Sequence, residues 1–206
     1  LGTVHPGFKT YNWLMGVLFS AFVAIVIIGG IRRIGSVTSR IVPVMCVLYV
    51  LTSLLIILSR IGEVPALIVT IFSEAFSPQA LYGGLVGVLV TGVKRAAFSN
   101  EAGLGSAAFA HSAARTDEAA REGIVAMIGP FIDTIIICLM TALVCMITGA
   151  YTDPEFLGHG EFIVGAKMTA AAFESFIPGS RYVLAVAVLM FAYSTMISWS
   201  YYGERA

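Results

Sequence analysis

Residues 98–114 read FSNEAGLGSAAFAHSAA. An apolar run, LYGGLVGVLVTG at 81–92, precedes them, and another, GIVAMIGPFIDTIIICLMTALVCMI at 123–147, follows. In a soluble protein such a polar, glycine-bearing interruption is a turn. Inside a membrane it needs a stronger reason, so the surroundings of this stretch decide the fold.

Those surroundings are apolar. Of 206 residues, 58% are hydrophobic and 12% charged, about half the charged share of ordinary soluble domains, and the mean hydropathy is +0.92. The formal net charge is zero, so neither a basic nucleic-acid surface nor an acidic disordered tract is indicated. Residues 11–31 and 41–59 carry no charge, 182–203 carry none, and 123–148 carry only Asp133. About 20 residues at about 1.5 Å rise cross a hydrocarbon core of about 30 Å. These four runs are expected to be membrane spans, and 80–114 is expected to be a fifth, broken near 99–105. The fold class is therefore an all-α polytopic membrane protein, with residues 1–206 forming one membrane domain and the lipid bilayer as its partner.

The opening LGTVHPGFKT has no initiator Met and reads as an internal loop, so the chain is expected to be a piece of a longer protein. Cys46, Cys138 and Cys145 lie within apolar runs without metal-ligand spacing and read as small core residues.

The positive-inside rule orients the spans. RRIGSVTSR at 32–40, RTDEAAR at 115–121 and Arg205 are expected on the cytoplasmic side. The opposite links, 60–79 and 152–181, are longer and balance their few cations with Asp and Glu. Within them, PALIVTIFSEAF and FIVGAKMTAAAFESFI have helical apolar spacing, with Pro65 placed to open the first and Pro78 and Pro178 following each. They suit helices lying on the membrane surface or capping a vestibule, or short packing helices under a loop.

Lipid cannot satisfy irregular backbone, so a broken span must line protein or a water-filled cavity. Gly103 and Gly105 let the chain leave helical geometry. The break creates a carbonyl end that suits a cation and an N–H end that suits a carboxylate, the arrangement by which discontinuous helices hold a zwitterion. Ser106 is placed to cap the inner half-helix, and Glu101 is an ionisable group near the break with Lys94 and Arg95 as partners. Asp133 and Thr134 place polarity inside the fourth span, where Asp133 either pairs with Lys94 or Arg95 or acts functionally. Ser194, Thr195 and Ser198 offer neutral oxygens in the fifth; hydroxyls of this kind either ligate a hard cation or bond back to their own helix. His5, His111 and His159 have no partner at metal-ligand spacing, and no HExxH, P-loop or GxSxG occurs. No catalytic residue is expected, and no enzyme.

The string RAAFSNEAGLGSAAFAHSAARTDEAAREGIVAMIGPFIDTIIICLMTALV closely resembles the core of the alanine or glycine:cation symporters, a family within the amino acid-polyamine-cation superfamily. FAYSTMISWSYYGE and GGIRRIGSVTSRIVPVMCVLYVL also resemble family sequence. The resemblance implies a five-plus-five inverted-repeat transporter core, of which the five spans would be the fourth to eighth helices and 99–105 the break in the sixth. It implies Na⁺-coupled symport of alanine, glycine or a similar small amino acid across the cytoplasmic (inner) membrane by alternating access, with Na⁺ as coupling ion and no other cofactor. Carried over by position, Phe98 would stand beside the substrate, with Ser99, Asn100, Ala102, Gly103 and Gly105 around it. Ser194 and Thr195, with the carbonyl near Phe191, would contribute to a Na⁺ site, and Asp133 or Thr134 to a second cation site. The family's first broken helix is not matched here, so the chain is expected to hold half of the binding site. The alternatives are an H⁺-coupled amino-acid transporter, a channel or an intramembrane enzyme.

Overall fold

The computed structural model describes residues 12–77, 89–90, 92–94, 96–97, 105–154, 156 and 161–205. Among them there is helix and turn and no strand. The order is α1 (Asn12–Ile27), α2 (Gly30–Ser59), α3 (Val64–Ala75), α4 (Ala107–His111), α5 (Ala119–Pro130), a π-helical segment (Phe131–Cys138), α6 (Leu139–Ile147), α7 (Glu161–Phe176) and α8 (Ser180–Arg205). By Cα proximity the chain divides into two compact units, residues 1–53 with 158–206, and residues 54–157.

Three helical stretches are long and apolar enough to cross a membrane: Gly30–Ser59, Ala119–Ile147 and Ser180–Arg205. They contain the expected spans 41–59 and 182–203 and all of 123–148 except its last residue. The expected span 11–31 is the shorter apolar helix α1, ended by a turn at Ile28–Gly29. Gly30 there has φ +64°, a left-handed conformation open to glycine. A Cβ on Gly29 would lie 2.2 Å from Cδ of Arg33, so the arginine stem crosses the bare glycine. Most of the fifth expected span, 80–114, lies outside the described residues.

The link 32–40 is not a loop. It is the first third of α2, a helix of 30 residues. Arginine favours helix, and Ile31, Ile34, Val37 and Ile41 keep the apolar spacing running through the charged stretch. The charges do not end the helix.

In the first unit, Val26 of α1, Ile34 of α2, and Ile197 and Tyr201 of α8 form one buried cluster, with Val37 and Tyr193 packed against it. Tyr193 also donates its hydroxyl hydrogen to the Phe22 carbonyl (3.0 Å) and meets the Phe19 ring edge-on. Lipid is as apolar as leucine, so close packing and such interhelical hydrogen bonds hold these helices together. The cluster brings the Arg32–Arg40 stretch and Arg205 to the same end of the unit, in keeping with the sidedness read from charge. At the other end α7 packs on α8, and the fully buried Phe173 meets Tyr49.

In the second unit α3 packs on α6, and α4 on α5. Pro65 sits in the first turn of α3, where its missing N–H costs nothing. Trp13, Leu55, Phe72 and Met127 are among many exposed large apolar side chains, as a lipid-facing surface requires. Cys46, Cys138 and Cys145 form no disulfide. Of these, only Cys145 is a core residue; Cys138 is exposed and Cys46 partly so, because small size permits burial without enforcing it.

Candidate functional site

Three places carry the candidate chemistry. At the break, Phe98, Ser99, Asn100, Glu101, Ala102 and Gly103 lie outside the described residues, as does Arg95. Gly105 is described and has φ +74°, so the chain does leave helical geometry there before entering α4. Ser106 occupies the position preceding α4, but its backbone is already helical (φ −64°, ψ −32°) and its side chain makes no capping hydrogen bond. An N-cap needs extended backbone to aim its oxygen at the following N–H groups, so the expected cap does not form. Lys94 is exposed and makes no ion pair among the described residues.

The second place is the middle of α8. Ser194 is 6% exposed, and its hydroxyl donates to the Phe191 carbonyl at 2.9 Å. The expected hydroxyl and carbonyl ligands are thus brought together, satisfying each other through a bond back to their own helix. The hydroxyl retains lone pairs, and so does the carbonyl oxygen. A cation arriving beside them meets two oxygens at once if the hydroxyl proton turns aside. Thr195, the next residue, is half-buried.

The third is the π segment. Asp133 is half-buried and Thr134 exposed, and both lie in Phe131–Cys138, where hydrogen bonding shifts from the α to the wider π pattern. The shift begins directly after Pro130, which has no N–H for the α ladder. π-Winding in a helix recurs at functional positions. Asp133 stands at the centre of Ala119–Ile147, where an ionisable group is costly and functional by default. Each place offers oxygen donors of its own, a hydroxyl with a carbonyl in α8 and a hydroxyl with a carboxylate in the π segment, and oxygen is the donor type that hard cations take.

The sequence did not disclose three further polar contacts. His111 Nδ1 and Glu122 Oε1 lie 2.6 Å apart and close the turn between α4 and α5; eleven residues separate them, a spacing no helix period picks out. Tyr193 bonds across helices, as described. Glu174, near the end of α7, accepts hydrogen bonds from the backbone N–H groups of Gly179 (3.1 Å) and Arg181 (3.0 Å), with Arg181 Nε 3.8 Å away. These N–H groups, Arg181 first and Gly179 next, hold the Glu174 carboxyl below the usual glutamate range. They lie just before and in the first turn of α8, where backbone donors have no helical partners.

Long apolar helices, polar groups at mid-helix and interhelical hydrogen bonds define the class: an α-helical membrane protein of the multi-pass kind. The chain belongs to the sodium:alanine symporter family, whose model matches residues 2–206. That family is one of transporters, not enzymes. The chain is 44% identical over 203 residues to the sodium/alanine symporter AgcS of Methanococcus maripaludis, covering 98% of this chain and 44% of AgcS. It is 44% identical over 211 residues to an uncharacterized transporter of Haemophilus influenzae, covering 98% of this chain and 45% of that protein. It is 35% identical over 211 residues to YrbD, a putative sodium/proton-dependent alanine carrier of Bacillus subtilis, covering 98% of this chain and 43% of YrbD. The chain thus spans less than half the length of these curated relatives.

Proposed function

We propose that the chain supplies part of a secondary transporter that couples Na⁺ entry to uptake of alanine, glycine or a similar small amino acid across the cytoplasmic membrane. The family match over residues 2–206 carries this reading. The relatives' names supply alanine and sodium, and AgcS is named for both. The architecture we assign is five spans of a five-plus-five inverted-repeat core working by alternating access.

Within it, Phe98, Ser99, Asn100, Ala102, Gly103 and Gly105 surround the substrate at the break. The left-handed Gly105 supports this, since backbone released from helical pairing must serve a cavity or a ligand. Ser194, Thr195 and the Phe191 carbonyl hold Na⁺, supported by the part-buried Ser194–Phe191 oxygen pair. Asp133 and Thr134 serve a second cation, supported by the π segment around them. Coupling by H⁺ in place of Na⁺ is the second reading, favoured by the name of YrbD.

The test is alanine uptake by the full-length protein in proteoliposomes under an inward Na⁺ or H⁺ gradient, with Asn100→Ala and Ser194→Ala/Thr195→Ala beside the wild type. Saturable uptake that needs Na⁺, with Asn100→Ala raising the alanine requirement and the double change raising the Na⁺ requirement by about tenfold or more, is expected. Uptake under a proton gradient alone moves the coupling to H⁺. No amino-acid uptake under either gradient overturns the transporter reading.

A further inference from the structure

The first third of α2 has two unlike faces. Successive helical residues turn by about 100°, which gathers Arg32, Arg33, Ser36, Ser39 and Arg40 on one side and Ile31, Ile34, Val37 and Ile41 on the other. The apolar side is docked: Ile34 is 4% exposed in the cluster with Val26, Ile197 and Tyr201, and Ile31 and Val37 pack against it. The opposite side cannot rotate away, and all five of its residues are exposed.

Its charges are unlike other arginines of the molecule. Arg60 pairs with Glu63, Arg121 with Glu118 and Arg181 with Glu174. No carboxylate pairs with Arg32, Arg33 or Arg40 among the described residues, and residues 30–41 contain no Asp or Glu. Arg205 reaches the same end of the unit, its guanidinium 5.4 Å from the centre of the Tyr201 ring in that cluster.

Depth fixes what these cations meet. Residues 41–59 of α2 are uncharged and about 28 Å long, close to the hydrocarbon thickness of about 30 Å. Arg40 then falls at the hydrocarbon boundary. Arg33 and Arg32 lie about two turns further out, within reach of the headgroup layer when their long stems bend back along the helix. The anions at that depth are lipid phosphates, and a planar guanidinium binds phosphate through two parallel hydrogen bonds. Unpaired cations just beyond a membrane helix are the pattern that attracts anionic lipids.

We propose that the Arg32, Arg33, Ser36, Ser39 and Arg40 face of α2, with Arg205 of α8 at the same end of the unit, is a docking surface for the phosphates of anionic phospholipids. The proposal needs a membrane-embedded chain but not the symport reading, so either can fail alone.

The experiment is native mass spectrometry of the detergent-solubilised full-length protein given equimolar dioleoyl-phosphatidylglycerol and dioleoyl-phosphatidylcholine. Wild type is expected to retain phosphatidylglycerol in clear excess. Arg33→Gln/Arg40→Gln is expected to cut that preference by about 25-fold, at about fivefold for each arginine near a membrane surface. Arg33→Lys/Arg40→Lys, which keeps the charge that orients the helix, is expected to recover part of it, and the exposed pair change Arg60→Gln/Glu63→Gln to leave it unchanged. No preference in wild type, or a Gln variant that keeps it, overturns the proposal. So does a Lys variant that falls as far as the Gln variant, since the loss would not then follow charge. Inorganic phosphate that abolishes the preference at fixed ionic strength would make a free anion the ligand and overturn the lipid assignment.

Discussion

The helices Ala119–Ile147 and Ser180–Arg205 both carry polar side chains at mid-length, and they accommodate them differently. In α8 the α-helix continues unbroken through Ser194, whose hydroxyl bonds to the Phe191 carbonyl of its own helix. In the other the winding changes to π around Asp133. A neutral hydroxyl has a donor to give and finds an acceptor one turn back. A carboxylate has only acceptors, and its own helix has already committed its N–H groups. It must be satisfied by other groups, by water or by a cation. The same division holds outside the spans. Glu122 finds His111 and Glu174 finds the first N–H groups of α8, each beyond its own helix. Carboxylates here organise their surroundings, whereas hydroxyls settle into them.

If that division holds, Asp133 is the position where one atom matters most. Asp133→Asn keeps the shape and removes the charge. We expect Na⁺-driven uptake by the full-length protein to fall by more than about tenfold, about 1.4 kcal/mol in cation affinity, with little loss of thermal stability because a charge that is costly at mid-span disappears. Na⁺ titrations of uptake and a melting curve on one preparation separate the two effects. An Asn variant with unchanged Na⁺ dependence would place Asp133 outside the coupling site and make the π segment a packing feature. Ser194→Ala should act in the same direction and less strongly: a threefold to tenfold loss of Na⁺ affinity, by about 1 kcal/mol for one neutral ligand, and less effect on uptake at saturating Na⁺. Were Ser194→Ala the more damaging of the two, the contrast between the helices would be reversed.

Much of this was readable from residue order, for identifiable reasons. Apolar run length picked out long apolar helices over 41–59, nearly all of 123–148 and 182–203, because run length sets helix length at a fixed rise per residue. Pro65 and Pro178 marked the start of α3 and the stretch beyond α7, because proline acts through its own backbone. The family itself was legible from FSNEAGLGSA and its neighbours. Other features were not local enough to read. The 32–40 stretch reads as a link between two spans, and nothing in its charges tells that α2 runs through it. Ser106 looked like a cap because residue type does not report φ and ψ. The π-winding depends on how hydrogen bonds redistribute after Pro130, and the composition of FIDTIIIC is that of any membrane helix. The pairs His111–Glu122 and Glu174–Arg181 join positions that only the folded turns bring together.

The His111–Glu122 contact is the intermediate case, a carboxylate outside the bilayer with one side-chain partner. A double-mutant cycle over His111→Ala and Glu122→Gln, read by denaturant or thermal unfolding of the full-length protein, is expected to give a coupling of about 0.5–1.5 kcal/mol, the net worth of a partly exposed hydrogen bond. A coupling near zero would mean that the turn between α4 and α5 is held by its backbone bonds alone, and that carboxylates outside the spans do not need the partners they find.

Glu174 should show the smallest effect and the clearest pH signature. Its carboxyl is held below the usual range by the Arg181 and Gly179 N–H groups. A carboxylate with a lowered folded-state pKa contributes stability above its unfolded value, and that contribution disappears as pH falls through the folded value. Glu174→Gln removes the charge that the N-terminus of α8 favours while keeping one acceptor oxygen. The wild type should therefore melt above Glu174→Gln at neutral pH, and the two should converge as the solution is acidified below the ordinary glutamate range. Added salt should narrow the neutral-pH gap, because the site is open to solvent. A gap that persists unchanged in acid would show that Glu174 acts by shape and not by charge. The turn at Pro178–Gly179, where Gly179 has φ +87°, would then hold α7 against α8 without electrostatic help, and the division between carboxylates and hydroxyls would apply within the membrane only.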